Sequence, residues 1–368
     1  MENHGCNPGG AAGRVIGEEI AARGAISVAR FMELALYAPG IGYYETAGRR
    51  IGRAGDFYTS VSVGPLFGFL LAMRFADLCA GMDPVTFAEA AAHDGQLADD
   101  ILSALERHRP GFLERLSYRI LEPSAVRRAE QEVRLGRWGS RVRWASSWRE
   151  LETPVDGVIV ANELLDAFPI HRHAWDAVSA AWMEEGVTAE GGRLVSCRAP
   201  AGELSSSPVP ELPEELLRVL PDGFIVESCP AALEWWRSAA GHLGTGWLVT
   251  ADYGFDEANA LRPERANGTL RSYHRHRIAD DILAHPGEQD LTAHVDFGAV
   301  VRAGEGVGLR TESMVAQGRW LGAIAVELLG RGGGEAIWLQ SQTRALQTLT
   351  HPVHLGKAMR VLVQGGKR

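Results

Sequence analysis

The chain reads as an α/β protein with a mostly parallel sheet, and three observations point there. Between residues 85 and 161, short apolar runs alternate with helix-period segments. Repeated strand–helix units of this kind build parallel sheets covered on both faces. Apolar residues make up 46% of the 368 positions and charged ones 23%, enough for a large core and too apolar for disorder. The polar clusters fall at the ends of the apolar runs, where ligands lie in open α/β sheets.

Taken in order, residues 1–12 are glycine-rich and expected to be loose. Short helices follow near 14–23 and 27–36. The glycine-rich run LYAPGIGYYETAGRRIGRAGDFYTS has no helical period and reads as a long functional loop. A helix is expected over 64–80, with Leu66, Leu70, Met73 and Leu78 inward. Strand 85–90 then leads into helix 96–108, whose Leu97, Ile101 and Leu105 share a face. Strand 117–122 leads to helix 124–135, a strand near 141–145 to a short helix, and strand 156–161 to NELLDAFP. The run 171–200 reads as a hairpin with a glycine turn, SSSPVPELPEE as a linker, and LGTGWLVTADYG as a return to the sheet. The domain organisation expected is 1–62 as an N-terminal helical segment and lid loop, 63–170 and 223–345 as the sheet domain, 171–222 as an inserted α+β lobe, and 346–368 as a C-terminal segment with a basic end.

Several function classes are disfavoured. A net charge of −9 argues against a nucleic-acid scaffold. Four widely spaced cysteines with no CxxC pair fit neither a zinc site nor a disulfide framework, and suggest a reducing, cytoplasmic compartment. The start MENHGCNPGG shows no secretory pattern, and no run is long and apolar enough to span a bilayer. His274, His276, His294 and Asp296 are too scattered for a metal site; they read as hydrogen-bonded braces in the C-terminal part of the sheet or as part of an acceptor groove. The ten tryptophans, Trp235 and Trp236 among them, read as packing.

The stretch FAEAAAHDGQLADDIL is the first candidate site. A nucleoside lying across a strand-to-helix turn needs close approach of the backbone, which glycines allow. Gly95 stands here, but Ala91 and His93 occupy places where further glycines are usual. The bland reading is a packed corner with Asp94 as N-cap. Glu122, at the end of the next strand, suits two ribose hydroxyls; its bland reading is a cap before Pro123 at the first position of the following helix. Asp94, Asp99 and Asp100 crowd the turn, and no Lys or Arg lies between residues 75 and 106. Such a turn would repel a pyrophosphate, so a cationic, phosphate-free cofactor, S-adenosyl-L-methionine, suits it better than NAD. In VIVANELLDAFPIHR, Asn162, Glu163 and Asp166 gather at a strand end where a methyl group would be presented. GDFYTS offers Asp56 with Phe57 and Tyr58, and Tyr43 and Tyr44 lie upstream. Aromatics beside acids suit a cationic guest, or else a loop pinned by its own rings.

These stretches resemble the mitochondrial complex I assembly-factor methyltransferases and their bacterial relatives, the MidA-like DUF185 family. ANELLDAFP carries the resemblance first. FMELALYAPGIGYY, GDFYTSVSVGPLFG, LEPS, ADYG, GTLRSYHRH, PGEQDLTAHVDF and QGRWL follow the same order, covering about residues 15 to 330. The resemblance implies a Rossmann-like class I AdoMet-dependent methyltransferase fold with a seven-stranded sheet and added lobes. It implies cofactor positions at Glu89, Ala91, His93, Gly95, Glu122 and Asn162, and a lid at Gly55, Asp56 and Thr59. The mitochondrial members methylate a protein arginine, so a protein acceptor is the expected partner; a homodimer is compatible with the sequence. Glu163 and Asp56 are then the expected guanidinium-orienting carboxylates, with Asn162 beside the methyl donor and Asp166 in reserve. The competing expectation is a degenerate fold, its glycines lost, acting as an assembly scaffold.

Overall fold

The computed structural model describes residues 10–46, 59–151, 154–209, 211–256, 261–274, 277–279, 281–353 and 355–366. Their main sheet contains seven strands in one path: β1 (Val85–Ala90), β2 (Leu116–Leu121), β3 (Val142–Ala145), β4 (Val155–Asn162), β5 (Leu243–Phe255), β6 (Arg310–Ala316) and β7 (Met359–Gly365). Seven of the sheet's eight strands run in the order β3-β2-β1-β4-β5-β7-β6. The pairs from β3 through β5 are parallel. β7 is antiparallel to both of its neighbours.

Three helices position the site. α1 (Leu66–Leu78) and α2 (Gln96–His108) pack together on the sheet, and α3 (Ala125–Leu135) follows β2. Leu97, Ile101 and Leu105 are all buried, with Phe87, Tyr118, Val158 and Val249 of the strands in the same core. α1 and α2 approach closely because Gly68 has no side chain: a Cβ there would lie 2.5 Å from the Cβ of Asp100. The other face of the sheet packs Ala90, Leu121 and Ala145 with Trp148 and Trp235. Trp236 is fully buried, its indole N–H donating to Gln364 Oε1 at 2.8 Å.

The chain divides into two compact units, one from residues 1–49, 166–233 and 255–296, the other from 50–165, 234–254 and 297–368. This differs from the expected boundaries. Residues 171–222 do not stand as a lobe of their own. Ala181–Glu190 pairs with His171–Asp176, with Arg193–Pro200 and with Ile26–Ser27 from the N-terminal segment. The core of that unit draws Ile16, Phe31, Met32, Ile170, Val187 and Leu291 from three separate stretches. A hairpin alone cannot bury both faces, so it recruits helices Ala11–Arg23 and Val28–Tyr37. Residues 359–365, within the C-terminal segment expected to close the chain as a helix or strand, form β7 inside the main sheet.

Candidate active site

The turn after β1 is built on left-handed backbone. Ala91 has φ 58°, His93 φ 48° and Gly95 φ 81°. The two side-chain-bearing residues thus adopt the conformation that glycine accepts freely, at a cost of roughly 1 kcal/mol each. The turn closes through Gly95 N–H donating to Ala92 O at 2.7 Å, and a Cβ on Gly95 would come within 3.1 Å of Leu135 Cδ1. Gly95, and not Asp94, is the N-cap of α2; the Asp94 carboxylate instead accepts the Gln96 N–H at 3.1 Å. Glu89 is buried beneath the turn and accepts the Tyr118 hydroxyl at 2.5 Å. Burial pushes its carboxyl up to about 7, against the lowering effect of that hydroxyl.

The turn's acids are not the uncompensated cluster that the sequence suggested. Arg134 of α3 pairs with Asp94 at 2.7 Å, and Arg137 with Asp99 at 3.0 Å. Burial works to raise the Asp94 carboxyl, but His93 and Arg134 outweigh it and hold it at about 2. Asp100 is pushed up to about 6 by burial, with Gln96 donating to it at 2.8 Å. The compensating arginines come from the next strand–helix unit, so counting cations locally missed them, and the charge argument against a phosphate-bearing cofactor loses its premise.

At the end of β2, buried Glu122 accepts the Ser124 N–H at 3.0 Å and the Gln131 side-chain amide at 3.0 Å. Ser124 is the N-cap of α3, which places Pro123 outside the helix rather than at its first position. Fully buried Gln131 also donates to His93 O at 2.9 Å and accepts the Trp144 indole N–H at 3.0 Å. Helix α3 thereby ties the end of β2 to the turn after β1.

At the end of β4, the middle strand of the seven, Glu163 has φ 51°. Its N–H donates to Ala251 O at 2.9 Å. Its Oε1 accepts Ser60 N–H at 3.2 Å and the Asn162 amide at 3.3 Å. Burial, with the Asp252 charge adding to it, pushes its carboxyl up to about 8 despite the N–H of Ser60 and the Asn162 amide. The fully buried Asp252 fixes this turn: its Oδ2 accepts Leu164 N–H at 3.1 Å and Leu165 N–H at 2.7 Å, and its Oδ1 accepts Tyr253 N–H at 2.8 Å. Asn162 Oδ1 and His93 Nε2 are buried polar atoms with no hydrogen-bond partner.

The ends of β1, β2 and β4 therefore bring together Glu89, Ala91, His93, Gly95, Glu122, Asn162 and Glu163 in one unit. Gly55 and Asp56 lie outside the described residues. Thr59 is in a turn where its hydroxyl accepts Ser62 N–H at 3.1 Å, beside the Ser60 that reaches Glu163. Asp166 belongs to the other unit, where its carbonyl accepts Ala293 N–H. Tyr43 and Tyr44 are also there: Tyr43 is buried in the core and Tyr44 donates to Asp290 at 2.8 Å. His274 and His294 are grouped with the other unit, and His294 directly precedes Val295–Asp296, the eighth strand of the main sheet, which pairs with β5. His276 is not among the described residues. His294 is held at about 4 by burial, with Arg265 and Arg271 nearby. Among the described residues, no group of three or more His, Cys, Asp or Glu is placed to hold a metal ion.

Sequence reasoning missed four supporting residues, Ser60, Gln131, Asp252 and Gln317. Gln317 accepts the Ser60 hydroxyl at 3.1 Å. Ser60, Asp252 and Gln317 stood inside the stretches GDFYTSVSVGPLFG, ADYG and QGRWL, which was the available signal. Gln131 had none.

Over residues 70–315 the sequence matches the Methyltransf_28 family of S-adenosyl-L-methionine-dependent methyltransferases. The mouse mitochondrial protein arginine methyltransferase NDUFAF7 is 27% identical over 319 residues, covering 78% of this chain and 68% of its own. The rat protein of the same name is 25% identical over 376 residues, covering 92% of this chain and 80% of its own. A Burkholderia thailandensis crystal structure bound to S-adenosyl-homocysteine is similar throughout, with TM-score 0.83 and 31% identity over 96% of this chain and 92% of that one. With the fold, the strand-end carboxylates and these matches in agreement, the chain belongs to this family of S-adenosyl-L-methionine-dependent methyltransferases.

Proposed function

We propose that the chain methylates a guanidinium nitrogen of arginine in a protein substrate. The observation behind this reading is Glu163, a half-buried carboxyl beside Asn162 at the end of the central strand of the seven, in a family whose named relatives are protein arginine methyltransferases. When bound, S-adenosyl-L-methionine supplies a methyl group activated by its sulfonium. The residues present fit that cofactor. The left-handed turn 91–95 presents backbone at the strand end, Glu122 offers carboxylate oxygens for ribose hydroxyls, and Asn162 Oδ1 is an acceptor with no partner inside the protein. Glu89 acts from beneath, bonded to Tyr118.

Glu163 is the residue that meets the acceptor. An arriving guanidinium favours its ionised form, and the carboxylate then orients the cation by charge-assisted hydrogen bonds and concentrates its charge on one nitrogen. No strong base is required, since the proton can leave after the nitrogen has been methylated. Alignment of the acceptor supplies most of the rate. Asp56 is kept in the proposal as a second orienting carboxylate. A scaffold role without catalysis drew its support from Ala91 and His93; both take the glycine-like conformation, so that reading has no observation in its favour. The charge of −9 supports protein over nucleic acid as acceptor, and a cytoplasmic location belongs to the same proposal.

The test is incubation of the protein with cell extract and methyl-tritiated S-adenosyl-L-methionine, followed by acid hydrolysis and amino-acid chromatography. Label in methylarginine is the expected result. Label confined to other amino acids or to small metabolites overturns the arginine reading.

A further inference from the structure

We propose that Gln131 is a positioning residue for the methyl donor, acting as a clamp on the turn at His93, where a glycine is lacking. The inference rests on the reading that the donor lies across the turn 91–95. The Gln131 side chain is fully buried, and both ends of its amide are hydrogen-bonded. The Trp144 indole N–H can only donate, so the oxygen of the Gln131 amide must face it, at 3.0 Å. The NH2 group is thereby fixed toward two acceptors, His93 O at 2.9 Å and Glu122 Oε2 at 3.0 Å. One side chain thus holds the carbonyl of the left-handed His93 and sets the direction of the carboxylate proposed for the ribose.

One helical turn further, Arg134 takes the next carbonyl, Asp94 O, at 2.8 Å and the Asp94 carboxylate at 2.7 Å. Consecutive carbonyls of the strained turn are therefore gripped from the same face of α3. Glycines at 91 and 93 would adopt this shape without steric cost. Alanine and histidine do not, and the grip on the His93 and Asp94 carbonyls holds the turn at His93. Arg134 is partly exposed and its pair is screened; the buried Gln131 is the dominant member.

The experiment is isothermal titration of S-adenosyl-homocysteine into the full chain and into Gln131→Met, Gln131→Glu, His93→Gly, His93→Gly with Gln131→Met, and Glu122→Ala. Each is checked for folding by its thermal midpoint without ligand. Gln131→Met is expected to weaken binding by about tenfold, the loss of hydrogen bonds to one charged and one neutral group. Gln131→Glu should weaken it further, because a carboxylate would face two oxygens. In the His93→Gly background the Gln131→Met loss should shrink to about threefold or less, a rescue that a purely structural role would not give. Equal losses in both backgrounds, or unchanged binding in Gln131→Met and Gln131→Glu alongside a loss in Glu122→Ala, overturn the clamp alone. Unchanged binding in Glu122→Ala overturns the placement of the donor, and the clamp with it. If Gln131→Met does not fold, Gln131→Leu, alone and with His93→Gly, gives the same comparison.

Discussion

Ala91, His93 and Glu163 share an unusual feature: each carries a side chain on left-handed backbone, and each stands just past the end of β1 or β4. Among the described residues only Ala180 joins them. Strain gathered at adjacent strand ends is what a binding site stores. Glu163 adds a pH signature. Its carboxyl is raised to about 8, chiefly by burial, and the ionised form is the one proposed to orient the acceptor cation. Methyl transfer to extract protein at limiting acceptor should therefore rise between pH 7 and 9. Glu163→Gln should lose that rise and fall by about 100-fold at its plateau; full activity in this variant would exclude the role. Asp252→Asn removes a neighbouring negative charge while keeping an acceptor for the Leu164 and Leu165 N–H groups. It should move the rise to lower pH, and an unmoved profile would mean that Asp252 does not act on Glu163. The sequence exposed Glu163 and Asn162 through a distinctive motif. It could not expose Asp252, because the partnership spans nearly ninety positions and obeys no local period.

Helices and strands were largely readable because their apolar spacing is regular. The expected strand 85–90 and helix 96–108 coincide with β1 and α2, since Leu97, Ile101 and Leu105 repeat at helical intervals and a glycine stops the turn before them. The contact between α1 and α2 was not readable: nothing in LFGFLLAM marks Gly68 as a crossing point. Gly68→Ala should push a methyl group to 2.5 Å from Asp100 Cβ. We expect a loss of about 1–3 kcal/mol of stability by urea unfolding. A change below about 0.5 kcal/mol would show that the helices can separate freely there.

The order in which segments join was the least readable feature. β7 comes last in the chain yet lies between β5 and β6, with seven register pairs to β5 alone. The apolar run near the end reads as a closing helix or strand, and nothing local says which neighbours it joins. Likewise, three separated segments build the unit around residues 166–233, because pairing partners remote in sequence leave no local trace. Deleting residues 359–368 should abolish cooperative thermal unfolding of the sheet unit, followed by circular dichroism, since the removal leaves two open strand edges; a sharp transition in the truncated chain would contradict the sheet order. The proposed function rests on a donor lying across the carboxyl ends of β1, β2 and β4. A crystal structure of the chain grown with S-adenosyl-homocysteine tests this. The prediction is a nucleoside with its ribose hydroxyls on Glu122 and its body along residues 91–95. Ligand density elsewhere on the protein, with none at Glu122, would contradict it.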